Sequence, residues 1–460
     1  MGASLFDKLW RSHVVDALDD DTDLIAVDLH LLHDLSGPGA LRALAERGLA
    51  VRAPGQTFAV PDHGVATLSG RTDASAEASL RSLPALRKAC AAAGITLFDL
   101  DSAEQGIVHV IGPELGLTLP GLSIVCGDSH TCTQGAFGAL ALGIGSTEVM
   151  QVLAMQMLIL QRPRSMRVRI EGALRPGVTA KDLILRLIGE HGAAGAVGHA
   201  VEFAGPAVRA LPMEARMALC NLAVEFGARF GLIAPDETAF AWLKGRPYAP
   251  AGALWDRAVD AWRELPSDAD ALFDREVVLD AASIGPQVTW GVTLDDVTDL
   301  SGNLPATPTP AQAEALAYMG LEAGAPLAGT PIQHAFIGSC ANSRLSDLQA
   351  AAEVLRGRHI APGVRALAVP GSQGVKRAAE ALGLDAIFRD AGVEWREPGC
   401  SMCVAMNGDQ VPSGERCVST SNRNFVGRQG PGARTHLASP ITVAASAVLG
   451  RIGGPEHLKS

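Results

Sequence analysis

Short apolar runs closed by turn residues alternate with helical stretches along most of the chain. Residues 5–18 read as an amphipathic helix, followed by the acidic turn Asp19-Asp20-Asp21-Thr22-Asp23. Leu24-Ile25-Ala26-Val27, a short apolar run between turn signals, reads as a buried strand. It ends at Asp28-Leu29-His30. The pattern recurs: Phe58-Ala59-Val60 ends at Pro61-Asp62-His63, Gly106-Ile107-Val108 at His109, and Leu122-Ser123-Ile124-Val125 at Cys126-Gly127-Asp128-Ser129-His130. Helical stretches such as 74–93 lie between them. In an open α/β sheet, ligands bind beyond the carboxyl ends of the strands. Histidines placed there suit general acids, bases or charge-stabilising donors. One strand-end histidine capping a carbonyl would be ordinary. Four of them, three with an aspartate just before, point to a site.

The chain turns polar at Arg162-Pro163-Arg164-Ser165, where a second unit begins. Residues 166–171 alternate as a strand and 181–190 are helical. On a helix Asn221 and Glu225 stand four residues apart and share a face, which suits a polar pocket. A turn-rich linker, Ser301-Gly302-Asn303-Leu304-Pro305-Ala306-Thr307-Pro308-Thr309-Pro310, precedes a plain α/β rhythm. There, Ala335-Phe336-Ile337 leads to Cys340. Asn342 or Ser343 caps a helix striped by Leu345, Leu348, Ala352 and Leu355. Strand 365–369 leads to Pro370-Gly371-Ser372, and Val393-Glu394-Trp395 leads to Pro398-Gly399-Cys400. The expected fold class is α/β, with spans 1–165, 166–300 and 301–460. Two glycine-rich stretches carry no nucleotide chemistry: 138–145 lacks G-x-G-x-x-G spacing, and Gly371-Ser372-Gln373-Gly374-Val375-Lys376 lacks the G-K-[ST] ending.

Gly338-Ser339-Cys340 and Cys400-Ser401-Met402-Cys403 bring three cysteines to strand ends, two of them as C-x-x-C. Thiolates hold zinc or iron–sulfur clusters. Three ligands suit a cubane whose remaining iron is open to act as a Lewis acid. A redox pair, a half-built zinc site and buried apolar thiols stay open on spacing alone. Ser419-Thr420-Ser421-Asn422-Arg423-Asn424-Phe425-Val426-Gly427-Arg428 adds two arginines in a polar loop, whose forks match carboxylates.

The totals narrow the class. The chain has 460 residues, 48% hydrophobic and 19% charged, enough for two to four domains. Aromatics are 4%, so the core is aliphatic. A net charge of -11 argues against nucleic acid as the main partner. Eight cysteines are no disulfide scaffold, the N-terminus lacks a basic segment followed by an apolar core, and no stretch reads as membrane-spanning. A reduced cytoplasm is expected.

The chain resembles the aconitase family, on its isopropylmalate branch. The motifs that carry the resemblance run nearly end to end: Val60-Pro61-Asp62-His63, Gln105-Gly106-Ile107-Val108-His109, Cys126-Gly127-Asp128-Ser129-His130-Thr131, Cys220-Asn221 through Glu225, Gln287-Val288-Thr289-Trp290-Gly291, Phe336-Ile337-Gly338-Ser339-Cys340, 398–406 and 419–428. The resemblance implies three α/β/α units arranged around one [4Fe-4S] cluster per subunit, held by Cys340, Cys400 and Cys403. It implies that Asp62 with His63, His109, and Asp128 with His130 handle the departing hydroxyl. Asn221 and Glu225 match residues near the open iron. Ser129, Arg423 and Arg428 match contacts to substrate carboxylates. A swivelling fourth domain with a serine base has no room before Ser460, so a separate small subunit is expected to bring it. The implied reaction is dehydration and rehydration of an alkylmalate, in leucine biosynthesis.

Four positions depart from the family pattern. Leu29 stands for Arg, Cys132 for Ala, Gln134 for His and Ala341 for Thr. They bear on the substrate, and a paralogue acting on another 2-substituted malate is the competing expectation. A cluster-sensing RNA-binding regulator is a further one, disfavoured by the acidic balance. A zinc- or thiol-based protein is a third and predicts no visible absorption.

Overall fold

A computed structural model describes residues 2–459. The chain forms two compact units. One comprises Met1–Asp62, Ser79–Ala173 and Ala196–Asp280; the other comprises His63–Ala78, Leu174–Gly195 and Ala281–Ser460.

The first unit holds two parallel sheets. In spatial order, the first is Thr96–Leu97, Thr57–Val60, Leu29–His33, Ser123–Cys126 and Leu140–Gly143. The three central strands are buried along their whole length, which is why they read as unbroken apolar runs rather than alternating ones. The second is Phe230–Leu232, His199–Ala204, Arg164–Glu171 and Arg275–Asp280. One core joins them. The helix Leu5–His13, capped by Ser4 accepting from the Asp7 amide at 3.1 Å, turns Leu5, Phe6, Leu9 and Trp10 inward. Trp10 meets Phe230 edge-on at 6.3 Å. The helix is shorter than the expected 5–18. The β-branched pair Val14-Val15 starts a strand, Val14–Ala17, which pairs antiparallel with Thr22–Ala26.

The strand expected to end at His30 is in fact two. Thr22–Ala26 belongs to a small antiparallel sheet, and Leu29–His33 is a central parallel strand with His30 as its second residue. The carboxyl end of that strand is His33-Asp34.

The second unit holds the third parallel sheet: Glu394–Trp395, Arg365–Ala368, His334–Ile337, Arg416–Ser419 and Arg434–Leu437. It also holds the helix Ala180–His191 and the hairpin Gln287–Thr289/Val297–Asp299. Among the described residues, no helix is long and apolar enough to cross a membrane.

Candidate functional site

In the first unit, Asp128 organises a buried chain of polar side chains. It follows the strand Ser123–Cys126 and N-caps the turn Ser129–Phe137, accepting from the His130 amide at 2.7 Å. Two glycines seat that turn. A Cβ on Gly135 would lie 1.9 Å from the Gly231 carbonyl oxygen, and one on Gly143 would lie 2.5 Å from that of Asp128. The same Asp128 oxygen is 2.9 Å from His109 Nε2 and 3.5 Å from His130 Nδ1. His130 Nε2 is 2.9 Å from Glu225 Oε1. Gln134 Nε2 lies 3.2 Å from His109 Nδ1, and its Oε1 accepts from Thr118 at 2.6 Å. An amide donating to Nδ1 leaves the His109 proton on Nε2, facing Asp128.

His130 is 3% exposed, and burial alone would lower its basicity. The Asp128 and Glu225 carboxylates outweigh that and hold its pKa above the ordinary imidazole range. A carboxylate facing each nitrogen favours the doubly protonated ring, which suits a proton donor.

The sequence-predicted residues fall as follows. His109 lies in the helix Val108–Leu115, not at a strand end, yet reaches Asp128 from there. Asn221 closes the helix Met213–Asn221 and Glu225 lies in the tighter turn Leu222–Phe226, so the two do not share one α-helical face. Both still address the 129–137 turn: Asn221 Nδ2 donates to Thr133 Oγ1 at 2.8 Å. Buried Asp62 accepts from the Val108 amide at 2.9 Å and thereby fixes the start of the His109 helix. Its own amide donates to Asp34 Oδ1 at 3.0 Å, a residue the sequence reading missed because it ended the strand too early. His63 is buried at the start of the other unit's first segment. Asp28 does not serve His30. Its carboxylate binds His13 Nε2 at 2.8 Å, while both His30 nitrogens are buried with no hydrogen-bond partner among the described residues, and desolvation lowers the His30 pKa to about 3. Ser129 lines an open cavity of about 800 Å³ together with Gly143, Arg162, Arg164 and Arg229.

In the second unit, Cys340, Cys400 and Cys403 all follow carboxyl ends of strands in the third sheet, and all are buried. Their loops are held in conformations few side chains adopt: Ser339, Ser401 and Ala405 have φ of 74°, 48° and 56°. Asn422, in the loop after Arg416–Ser419, bridges two of the sulfurs. Its Nδ2 donates to Cys340 Sγ at 3.3 Å, and its Oδ1 lies 3.4 Å from Cys403 Sγ. Arg428 Nη2 is 3.8 Å from Cys403 Sγ, and Arg423 lies in the same loop, half-buried. Three buried thiols with amide and guanidinium donors beside them form a set suited to thiolate ligation of an iron–sulfur cluster. By contrast, burial pushes the thiols of Cys90 (to about 12), Cys220 and Cys417 up, which keeps them protonated and inert.

Residues outside the sequence reading support these loops. Arg71 donates to the carbonyls of Ala66 at 3.0 Å and Pro398 at 2.5 Å. Asp409 accepts from Thr67 Oγ1 (2.7 Å), Arg396 Nη2 (2.8 Å), Ser401 Oγ (2.7 Å) and Asn407 Nδ2 (3.0 Å). Lys181, fully buried at the start of the helix Ala180–His191, donates to the carbonyls of Thr420 and Ser421. Each is a charge in a polar stretch that sequence alone would leave at the surface.

Comparison with known proteins identifies the family. The model of the aconitase family (aconitate hydratase) matches residues 7–450. The 3-isopropylmalate dehydratase large subunit 1 of Bradyrhizobium diazoefficiens is 59% identical over 458 residues, covering 98% of this chain and 96% of that protein. The 3-isopropylmalate dehydratase large subunit of Roseiflexus castenholzii is 53% identical over 471 residues, covering 99% of each. The holo-form crystal structure of Thermococcus kodakaraensis aconitase X is 15% identical, covers 87% of this chain and 84% of its own, and has a TM-score of 0.48, too loose a likeness to bear on the site. By the family match and the near full-length identity to these curated relatives, the chain belongs to the aconitase family.

Proposed function

We propose that this chain is the catalytic large subunit of 3-isopropylmalate dehydratase, a hydro-lyase that interconverts 2- and 3-isopropylmalate through the alkene in leucine biosynthesis. The observation that carries the reading is its 59% and 53% identity, over almost the whole length, to two large subunits of that name. The side-chain chemistry fits it. We read 1–165, 166–300 and 301–460 as three α/β/α domains, with one parallel sheet to each span except that the second sheet's strand Arg164–Glu171 starts two residues ahead of its span.

Cys340, Cys400 and Cys403 would hold a [4Fe-4S] cluster, which when bound supplies a Lewis acid for the substrate hydroxyl and a carboxylate. The chain's own groups do the rest. Hydroxide is a poor leaving group, and protonation makes it a better one. His130, kept as an imidazolium by Asp128 and Glu225, donates that proton. His109, with its proton on Nε2 toward Asp128, orients Asp128 and thereby His130. Asp62 and His63 form a second acid–base pair. Asn221 holds the 129–137 turn, and Ser129, Arg423 and Arg428 take substrate carboxylates, where charge develops as the α-proton leaves. A small subunit supplies the mobile domain and the serine that removes this proton. We place the chain in a reducing cytoplasm, which would keep its thiols available as ligands.

The test is an anaerobic assay of the chain, reconstituted with iron and sulfide and mixed with the matching small subunit. Alkene absorbance is followed with 3-isopropylmalate, citrate and 2-methylmalate side by side. Turnover of isopropylmalate that vanishes with Cys400→Ser supports the reading. Turnover of another malate alone would move the protein to a different pathway.

A further inference from the structure

Lys181 is the second residue of the helix Ala180–His191 and has no exposed surface. A buried ammonium is costly unless negative charge or good acceptors compensate it. Its neighbour Asp182 is already committed: that carboxylate accepts from the amides of Thr179 (2.7 Å) and Gln287 (2.8 Å) and from Thr179 Oγ1 (2.8 Å). The two bonds Lys181 makes go to carbonyl oxygens, of Thr420 at 2.5 Å and Ser421 at 2.7 Å.

Those two carbonyls stand directly before Asn422. Thr420 is also tied to the Cys340 loop. Its Oγ1 exchanges hydrogen bonds with the Gly338 amide (2.8 Å) and carbonyl (2.9 Å), and its carbonyl accepts from Ser339 Oγ at 3.2 Å. A continuous path therefore runs from the ammonium through two peptide groups to the amide that touches Cys340 and Cys403. Burial pulls the Lys181 pKa down to about 7, and the charges of Cys403, Asp347, Asp182 and Cys340 oppose that fall.

We propose that Lys181 is a positioning residue for the cysteine centre: it clamps the Thr420-Ser421 backbone so that Asn422 bridges Cys340 and Cys403, and its ammonium offsets the negative charge that the thiolates bring. The proposal rests on reading the three cysteines as cluster ligands.

The experiment compares wild type, Lys181→Met and Lys181→Gln as full-length chains reconstituted anaerobically. It reads iron loss to a chelator, visible and paramagnetic spectra, and reduction potential. Lys181→Met is expected to release iron at least about tenfold faster, with a changed spectrum and a more negative potential. Lys181→Gln keeps a donor to the carbonyls and drops the charge, so it should show the potential shift with a near-normal spectrum. It carries the comparison if Lys181→Met does not fold. Wild-type potential and iron retention in Lys181→Gln would overturn the electrostatic role. A wild-type spectrum and iron retention in folded Lys181→Met would overturn the clamp. A wild-type protein that takes up no iron would sink the cluster reading instead, and is told apart by the parent sample alone.

Discussion

Glu225→Gln isolates the charge that keeps His130 protonated. The carboxylate is 2.9 Å from His130 Nε2 and its side chain is 11% exposed, so solvent screens it little. Coulomb's law at an effective dielectric of about 20 puts the attraction at no more than about 6 kcal/mol. Hydrogen bonds to charged groups measured in proteins are worth about 1.5–3 kcal/mol, the better working value. At about 1.4 kcal/mol per unit, that is a fall of about 1–2 units in the His130 pKa. Asp128 remains, but at 3.5 Å. The assay is kcat/KM against pH for the complete two-subunit enzyme. The acid form is the active one, so the rate falls as pH rises through the His130 pKa. In Glu225→Gln this alkaline limb should move down by about 1–2 units, with a loss of about 10²–10³ at the optimum. A raised histidine pKa stabilises the fold below the unfolded value and loses that contribution as pH rises through the folded one. The variant should therefore be less stable than wild type in mild acid and match it in alkali. The double variant with His130→Asn should be little worse than the poorer single one, because the pair acts as a unit. An unmoved alkaline limb would refute the assignment of His130 as the acid.

Three further outcomes are expected. Asp409→Ala removes four hydrogen bonds around the C-x-x-C loop, one of them from the buried Arg396 guanidinium, which keeps Glu394 at 3.4 Å, so it should cost about 2–3 kcal/mol in denaturant unfolding of the apo-protein; under about 1 kcal/mol would remove Asp409 from that support. His30→Leu should be neutral or stabilising at pH 7, since both ring nitrogens are buried without partners. With a folded pKa of about 3, His30 refuses the proton the unfolded chain takes up below pH ~6.5, so wild type loses about 2 kcal/mol from this group between pH 6.5 and 5. Urea midpoints at the two pH values should show that loss shrink in the variant. Gln134→Leu leaves the His109 Nδ1 lone pair without its donor, while Asp128 still holds the proton on Nε2, so the ring loses one of its two anchors; kcat should drop about tenfold with KM little changed, while Gln134→His, which can offer an N–H, should keep most of it.

Much of this was legible in the sequence. The cysteine loops follow strands whose apolar runs are short and bounded, and Asp128 stands where a strand must end. The misreadings have physical causes. Ile107-Val108-His109-Val110-Ile111 is apolar at every spacing, so nothing local separates a strand end from the helix it forms. Leu29–His33 is buried on both faces, which hides the alternation that would have marked it. Lys181 and Asp409 were invisible for another reason. A charged residue at the start of a helix or in a polar loop is normally solvated, and only the tertiary fold makes these two interior.

The four departures from the family pattern can be weighed by what each side chain touches. Leu29 is 5% exposed and packs in an apolar cluster with Leu31, Phe58 and Ile124, where a charge would have to be paid for by a partner. Ala341 is fully buried, and its loop is held through the backbone: its amide donates to Ser339 Oγ at 3.2 Å, and Arg344 Nη1 binds the carbonyls of Cys340 and Ala341 at 2.8 and 3.1 Å. A hydroxyl at position 341 is not needed to shape it. Cys132 lies 3.4 Å from the Asn221 carbonyl, a contact to backbone. Gln134 touches a candidate catalytic side chain directly, and it offers His109 a donor. The changes thus leave the carboxylate–imidazole chain and the thiol loops intact. If the substrate differs from isopropylmalate, the difference must come from groups that contact the alkyl chain, and substitution at these four positions should shift rates on all alkylmalates together rather than their ratio.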